Sequence, residues 1–408
     1  MQCRFCNNSL EHIFVDLNNS PPSNSYLTKK QLNEAEVYYP LKVFICDKCW
    51  LIQIDEYKKS KDIFDNEYAY FSSMSKLWLE HSKKYVDMIA KKLSLSKSSQ
   101  VVEIASNDGY LLQYFKEKQI PCLGVEPCSN TALISKEKGI ETIEEFFTFY
   151  FAENFITDRD KVDLVLGNNV YAHVPNINDF TRGLKIILKD SGTITLEFPH
   201  LLNLIKYNQF DTIYHEHFSY LSLITVKRIF NKFDLEVYDV EKIKTHGGSL
   251  RIYGKHLENK NILQSNSVQK LLDEEIKYGL TDINFYIAFK DKVNKIKYDF
   301  IDFLIKQKQK GKTVAAYGAA AKGNTFLNYC GIKNDMIDFV VDRACSKQNK
   351  YLPGSHIPVV TEESLKITKP DFLILFPWNL KKELVAQLNY IRNWGGKFVI
   401  SIPKLKVF

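Results

Sequence analysis

Apolar positions in this chain gather in short, dense runs rather than spreading evenly. In its middle, four runs at 101–105, 122–125, 162–166 and 193–198 have strand length and stand at intervals that admit a helix between neighbours. That alternation predicts a parallel sheet with helices on its faces. Just upstream, residues 73–93 set Leu77, Val86, Ile89, Ala90 and Leu93 among lysines, which predicts an amphipathic helix leading into the sheet. Helical periodicity returns between 265 and 309, in Val268, Leu271 and Leu272 and then in Val293, Ile296 and Phe300, with nothing there that suggests chemistry. A second strand-turn-helix signal at 313–323 and strand runs at 337–341, 372–376 and 397–400 predict a second α/β domain. The first 60 residues carry only short strand-like runs, such as Val43-Phe44-Ile45 and Leu51-Ile52-Gln53-Ile54.

At 408 residues the chain exceeds one ordinary core. The pattern divides it into a small domain at 1–65, a central α/β domain at 66–255, and a helical linker with a second, Rossmann-like α/β domain at 256–408. So short a first segment needs a staple. Cys3-Arg4-Phe5-Cys6 and Cys46-Asp47-Lys48-Cys49 supply one: two such pairs offer the four thiolates of a tetrahedral structural zinc site. A disulfide framework is disfavoured, because Met1-Gln2-Cys3-Arg4-Phe5-Cys6 shows no basic stretch followed by an apolar run. The same observation makes a cytoplasmic location the expectation. A redox CxxC is expected singly and beside a βαβ pattern, whereas here the pairs come twice and before any such pattern. The 39 residues between the pairs exceed the usual gap of roughly 15–20, so the insert is expected to loop out, with Pro21-Pro22-Ser23-Asn24-Ser25 as the loop. Cys122, Cys128, Cys330 and Cys345 stand singly and read as small buried hydrophobes.

Charge and hydropathy remove other classes. The formal net charge of +7 is spread over many lysines without a basic block, which argues against nucleic acid as a partner and suits a small anionic substrate. No apolar run approaches the roughly 18 residues that span a bilayer, so no membrane partner is expected.

In an open parallel sheet, ligands bind outside the carboxyl ends of the strands. Three predicted strand ends carry polar residues: Glu103 with Asn107-Asp108-Gly109, then Glu126, then Asn168-Asn169-Val170-Tyr171-Ala172-His173. Gly109 permits close backbone approach, and a carboxylate at Glu126 can accept both hydroxyls of a ribose. G-x-G-x-x-G is absent, so nothing cradles a pyrophosphate; a cofactor with ribose and adenine but no phosphates fits better, and S-adenosylmethionine is the candidate. The densest titratable cluster is Ile213-Tyr214-His215-Glu216-His217-Phe218-Ser219-Tyr220. If extended, it would set His215 and His217 on one face and Glu216 opposite. With only two imidazoles and no third ligand at hand, a histidine general base beside a carboxylate is favoured over a metal site. Thr245-His246-Gly247-Gly248-Ser249-Leu250-Arg251 joins flexible backbone to a hydroxyl and a cation, suited to an anionic or polyhydroxylated ligand. Gly318-Ala319-Ala320-Ala321-Lys322-Gly323-Asn324-Thr325 could hold phosphate with its amides and Lys322, or could simply let helix and sheet approach.

On these motifs, and on Glu103–Gly109, Tyr214–Phe218, His246–Ser249 and Gly318–Asn324 in particular, the chain resembles the sugar C-methyltransferases that modify nucleotide-linked keto-deoxysugars. The resemblance covers nearly the whole length in the same order: zinc-binding domain, class I adenosylmethionine-binding domain, C-terminal α/β domain. It implies His217 as catalytic base, Tyr214 and Glu216 in the same pocket, His173 close by, and an active-site tyrosine at Tyr68 or Tyr70. The cofactor residues would be Glu103, Asn107, Asp108, Gly109, Glu126, Asn168 and Asn169. His246, Gly247, Ser249, Arg251, Lys322 and Asn324 are the candidates for the keto-sugar substrate. The implied chemistry is removal of a proton next to a ketone, followed by attack of the enolate carbon on the sulfonium methyl. Two rivals stand beside it: methylation of an oxygen or nitrogen on a nucleotide sugar or glycan precursor, and a non-catalytic, zinc-stabilised binding module.

Overall fold

The computed structural model describes residues 1–64 and 71–408. The chain forms two compact units, each assembled from separate segments. Met1–Leu10, Cys46–His200 and Phe218–Thr281 make the first; Glu11–Ile45, Leu201–His217 and Asp282–Phe408 make the second.

The first unit is built on seven strands: β1 Val101–Ile104, β2 Cys122–Val125, β3 Glu141–Ile143, β4 Val162–Asn168, β5 Leu188–Pro199, β6 Leu235–Ile243 and β7 Ser249–His256. Their order in the sheet is β6-β7-β5-β4-β1-β2-β3. β1 runs parallel to both β2 and β4, and β4 parallel to β5, while β7 is antiparallel to β5 and β6. The order reverses between β1 and β4, which is where such a sheet opens a crevice for a ligand. All four residues of β1 are buried, as expected of a parallel strand covered on both faces. Glu103 is the polar exception among them.

Helix α1, Lys76–Lys92, is capped by Ser75, whose side chain accepts from the Trp78 amide. Its buried stripe is Trp78, Ser82, Tyr85, Val86 and Ile89. Leu77, expected in that stripe, is 54% exposed, because the larger neighbour Trp78 sets which face turns inward. Helix α2, Leu223–Lys232, is capped from within by Ser222 and from outside by Glu275 of α3, Asn266–Tyr278. The Glu275 carboxylate is fully buried and accepts from the amides of Leu223 and Ile224, at 2.8 and 2.9 Å, and pairs with His200 Nε2 at 2.7 Å. An anion at a helix N-terminus is favourable for the same reason that unbonded amides gather there.

The second unit carries an antiparallel hairpin, His12–Ser20 with Tyr39–Ile45. The insert between the cysteine pairs is therefore not a plain loop, and Pro21–Ser25 follows its first strand. A six-stranded sheet is formed by β8 Val314–Tyr317, β9 Val340–Val341, β10 Val359–Val360, β11 Phe372–Leu375, β12 Lys397–Ile400 and β13 Lys406–Val407. Its order is β10-β9-β8-β11-β12-β13, parallel except for β13. The region expected as helical at 265–309 resolves into α3, the short Ile283–Ile287 helix and α4, Phe289–Gln309; Gly279, at φ +110°, ends α3. Cys345 is exposed, against the expectation of burial, and Cys122 is half-buried. No helix among the described residues is long and apolar enough to cross a membrane.

Removing the buried Glu275 carboxylate leaves the groups that bond to it without an acceptor. Glu275→Ala is expected to cost about 3 kcal/mol, read as a lowered denaturant midpoint, whereas a shift within error would show that the two α2 amides and His200 find other partners.

Candidate functional site

The two cysteine pairs form knuckles of the same backbone shape. Asn7 donates to Cys3 O and Trp50 to Cys46 O, both at 2.9 Å, while the Cys3 and Cys46 amides reach Asn8 O and Leu51 O at 2.8 and 3.0 Å. Asn7 and Trp50 take φ values of +62° and +64° to close these turns. All four Sγ atoms lie within 4.8 Å of one another, and the Cys3–Cys49 and Cys6–Cys46 sulfurs are each 3.5 Å apart. A disulfide would need about 2.05 Å, whereas tetrahedral bonds of about 2.3 Å to one zinc separate sulfurs by roughly 3.8 Å. The donor set fits zinc. Gln53, fully buried, accepts from the Arg4 amide at 2.9 Å and donates Nε2–H to Cys3 Sγ at 3.2 Å, so one amide from the strand after the second pair holds the first knuckle. Hydrogen bonds from Cys46 and Cys49 hold the Cys3 thiol far below its usual range.

At the carboxyl end of the first unit's sheet, the 105–109 turn places Ala105, Asn107 and Gly109 at φ +55°, +50° and +71°. A Cβ on Gly109 would stand 2.6 Å from Ile140 Cδ1 and 2.8 Å from Ser135 Oγ, so glycine serves both the turn and the packing. The Glu126 carboxylate accepts from the amides of Asn107 and Cys128, at 2.8 and 2.9 Å. Burial raises its carboxyl above the usual range, and those amides work against the rise. Since each carboxylate oxygen can accept twice, capacity is left for hydroxyls. Asn107 Oδ1 accepts from the Ser72 amide at 2.8 Å, and Asp108 receives the Ser73 amide and hydroxyl and faces Lys138 at 3.7 Å. These two side chains thus hold the segment ahead of α1.

At the same strand ends stand polar atoms that make no well-formed hydrogen bond among the described residues. Both Glu103 oxygens, Asn168 Nδ2 and Asn169 Oδ1 are buried without a well-formed hydrogen bond. Burial pushes the Glu103 carboxyl well up, the Tyr110 hydroxyl opposing it. Buried polar groups are rarely left so, and this set of donors and acceptors fits the polar substituents of adenosylmethionine. His173 ends the Tyr171–His173 turn after β4, its ring 5.8 Å from that of Phe64. Tyr68 and Tyr70 lie outside the described residues.

A charged cluster at the ends of β5 and β7 escaped the sequence reading. Glu197, fully buried, accepts from His81 Nε2 at 2.9 Å, Arg251 at 2.8 Å and Thr245 Oγ1 at 2.8 Å. Arg251 also meets Glu241 at 3.0 Å and lies over the Tyr85 ring at 4.4 Å. The expectation that Arg251 binds an anionic ligand is corrected: its charge is buried and already matched by two carboxylates. Gly247 and Gly248 take φ +89° and +114°, with the His246 backbone in the same turn, and Ser249 Oγ donates to Thr245 O at 3.2 Å. The signal for Glu197 was available, since it ends an apolar run as Glu103 and Glu126 do.

In the second unit, residues 214–217 form a turn, with His217 N–H donating to Tyr214 O at 2.9 Å. The extended alternation considered for this stretch is therefore not what forms. The two histidines diverge: His215 Nε2 meets Pro40 O at 3.2 Å, while His217 Nδ1 meets Thr212 O at 2.8 Å and its ring lies 4.1 Å from that of Tyr214. A carbonyl oxygen only accepts, so Nδ1 of His217 carries a proton and Nε2 is the basic nitrogen of the neutral ring. Glu216 is buried and accepts from Asn24 Nδ2 at 2.6 Å. Among the described residues, the side chains that gather as metal ligands are the four cysteines.

The 318–325 turn opens helix α5, Ala321–Cys330. A Cβ on Gly318 would stand 2.4 Å from Pro377, and one on Gly323 2.8 Å from Phe376, so the small residues make room for that packing. Lys322 donates to Asn379 at 3.3 Å and sits over the Trp378 ring at 4.8 Å. Burial lowers its ammonium, with the opposing charge of Asp211 acting against this. Burial likewise pushes the Asp211 carboxyl up to about 6, opposed by Lys322 and by the Trp378 indole bond. Asn324 Nδ2 donates to Ser23 O at 2.6 Å.

Comparison with known proteins agrees with this anatomy. Family models match for a zinc binding domain over residues 3–64, a methyltransferase domain over 78–240 and a C-methyltransferase C-terminal domain over 244–403. The C-methyltransferase NovU of Streptomyces niveus is 32% identical over 406 residues, covering 100% of this chain and 96% of that protein. Among solved structures, the PH0226 protein of Pyrococcus horikoshii is 14% identical over 46% of this chain and 95% of its own, at a TM-score of 0.38. Magnesium protoporphyrin IX methyltransferase of Synechocystis is 12% identical over 43% of this chain and 81% of its own, at 0.35. The protein is an adenosylmethionine-dependent methyltransferase with a structural zinc site. It belongs to the C-methyltransferase family that includes NovU.

Two outcomes are expected. Cys49→Ser should lose bound zinc by elemental analysis and melt earlier, and Gln53→Ala should weaken zinc on the order of tenfold to a hundredfold in chelator competition. For Glu197, burial alone would raise the carboxyl from its ordinary 4.5, but the His81 bond and the Arg251 charge win and hold it at about 2. A depressed carboxyl contributes stability above its unfolded value and loses it as pH falls through the folded one. Glu197→Gln should therefore flatten the acid limb of the stability profile between about 4.5 and about 2; an unchanged limb would refute the assignment.

Proposed function

We propose that the protein methylates a ring carbon adjacent to the ketone of a nucleotide-linked keto-deoxysugar, with His217 as the base. The observation that carries this reading is the bond from His217 Nδ1 to Thr212 O, which fixes the proton at Nδ1, so that Nε2 is the basic nitrogen when the ring is neutral. A ketone acidifies the neighbouring C–H. His217 Nε2 takes that proton, and the C–H electron pair passes into the carbonyl, placing negative charge on its oxygen. Such charge calls for a preorganised donor, a role assigned here to Tyr214 and His173, with Glu216 completing the site. Tyr68 or Tyr70 is a further candidate. Bound adenosylmethionine supplies the electrophilic methyl group that the carbon accepts. Glu126 receives the ribose hydroxyls, and Glu103, Asn107, Asp108, Gly109, Asn168 and Asn169 surround the rest of that cofactor. His246, Gly247, Ser249, Lys322 and Asn324 are assigned to the sugar nucleotide. The similarity to NovU, a C-methyltransferase, supports carbon as the acceptor.

Purified protein incubated in deuterated buffer with a panel of nucleotide-linked 4-keto-6-deoxysugars should wash deuterium into the keto sugar without methyl donor. With donor it should add one methyl group stable to mild acid. His217→Asn should slow the exchange by on the order of a hundredfold to ten-thousandfold while calorimetry shows adenosylmethionine still bound. Near-normal exchange in that variant would move the base to His215. Methylation by the wild type without any exchange would point to an oxygen or nitrogen acceptor instead.

A further inference from the structure

The insert between the cysteine pairs, which the zinc site does not need, reaches the catalytic turn of its own unit. Its Pro21–Tyr26 stretch is fastened at several points. Asn324 Nδ2 donates to Ser23 O at 2.6 Å, Ser23 Oγ lies 3.3 Å from Thr325 Oγ1, the Tyr26 hydroxyl donates to Ala319 O, and Leu27 bridges Tyr351 through paired backbone bonds of 2.9 and 2.8 Å. Thr325 Oγ1 in turn donates to Ile213 O at 2.9 Å, at the start of the turn that carries Tyr214 to His217. From this fastened stretch a single amide points at the turn: Asn24 Nδ2 donates to the buried Glu216 carboxylate at 2.6 Å. A short hydrogen bond to a carboxylate is among the stronger kinds. Burial raises the Tyr26 hydroxyl, and the negative charges of Asp342 and Glu216 add to the rise.

We propose that Asn24 is a positioning residue of the methylating site, holding the Glu216 carboxylate and through it the turn that presents His217. The proposal rests on the reading of Tyr214, Glu216 and His217 given above. It makes the insert part of the catalytic apparatus, because the amide it delivers orients a group beside the base. Positioning errors of about 1 Å can cost on the order of a hundredfold in rate.

The test uses the full-length zinc-loaded protein and the keto sugar nucleotide that the wild type turns over. Asn24→Ala and Asn24→Asp are expected to lower kcat and the rate of C–H exchange on the order of tenfold to a hundredfold, with the adenosylmethionine dissociation constant and the melting temperature nearly unchanged. Asn24→Gln, which keeps the donor, should recover part of the loss. Tyr26→Phe, which cuts the fastening of the same stretch to Ala319, should keep the wild-type kcat. If Asn24→Ala turns over like an active wild type, or Tyr26→Phe loses as much as Asn24→Ala does, the positioning role is overturned while the carbon-methylation reading stands. If the wild type neither exchanges nor methylates any keto sugar nucleotide, that reading fails and takes this one with it.

Discussion

A buried carboxylate must be compensated or lose its charge, and the first unit buries Glu126, Glu197 and Glu103 on or just beyond strands of its sheet. Each is handled differently. Glu126 is held by two backbone amides, which also closes the 105–109 turn onto the end of β2. Glu197 is matched by Arg251 and His81, so that β5, β7 and α1 meet at one ion cluster. Glu103 has the Tyr110 hydroxyl against it but, among the described residues, no well-formed hydrogen bond, and burial pushes its carboxyl well up.

The second unit solves a different problem with similar means. Its candidate base lies in a turn, not on a rigid strand, so orientation has to come from hydrogen bonds. Thr212 O fixes the His217 ring, Asn24 meets Glu216, and Thr325 ties the start of the turn. The small residues of the 318–325 turn let Phe376 and Pro377 approach closely. The charges of Asp211 and Lys322 each work against the effect of burial on the other there.

Much of this was legible in sequence. Apolar runs located β1, β2, β4, β5, β8, β11 and β12 to within a few residues at most of their ends, because parallel strands covered on both faces leave continuous apolar segments. Strand β9 came out shorter than its apolar run, being limited to Val340–Val341 by its pairing with β8. Leu77 was misplaced because helical spacing alone does not say which of two adjacent apolar residues faces inward. Arg251 was read as available charge, since sequence shows a cation but not the carboxylates that surround it.

The amino-acid sequence by itself determined the four clustered cysteines, the α/β class and the polar strand ends, since each rests on local spacing and periodicity that short-range geometry imposes. Only the tertiary structure decided which polar groups are paired, which carbonyl each histidine of the 214–217 turn meets, and where the insert goes. Those depend on contacts between residues remote in the chain, such as Asn24 and Glu216, 192 positions apart. Hydrogen bonding at that separation leaves no trace in local pattern.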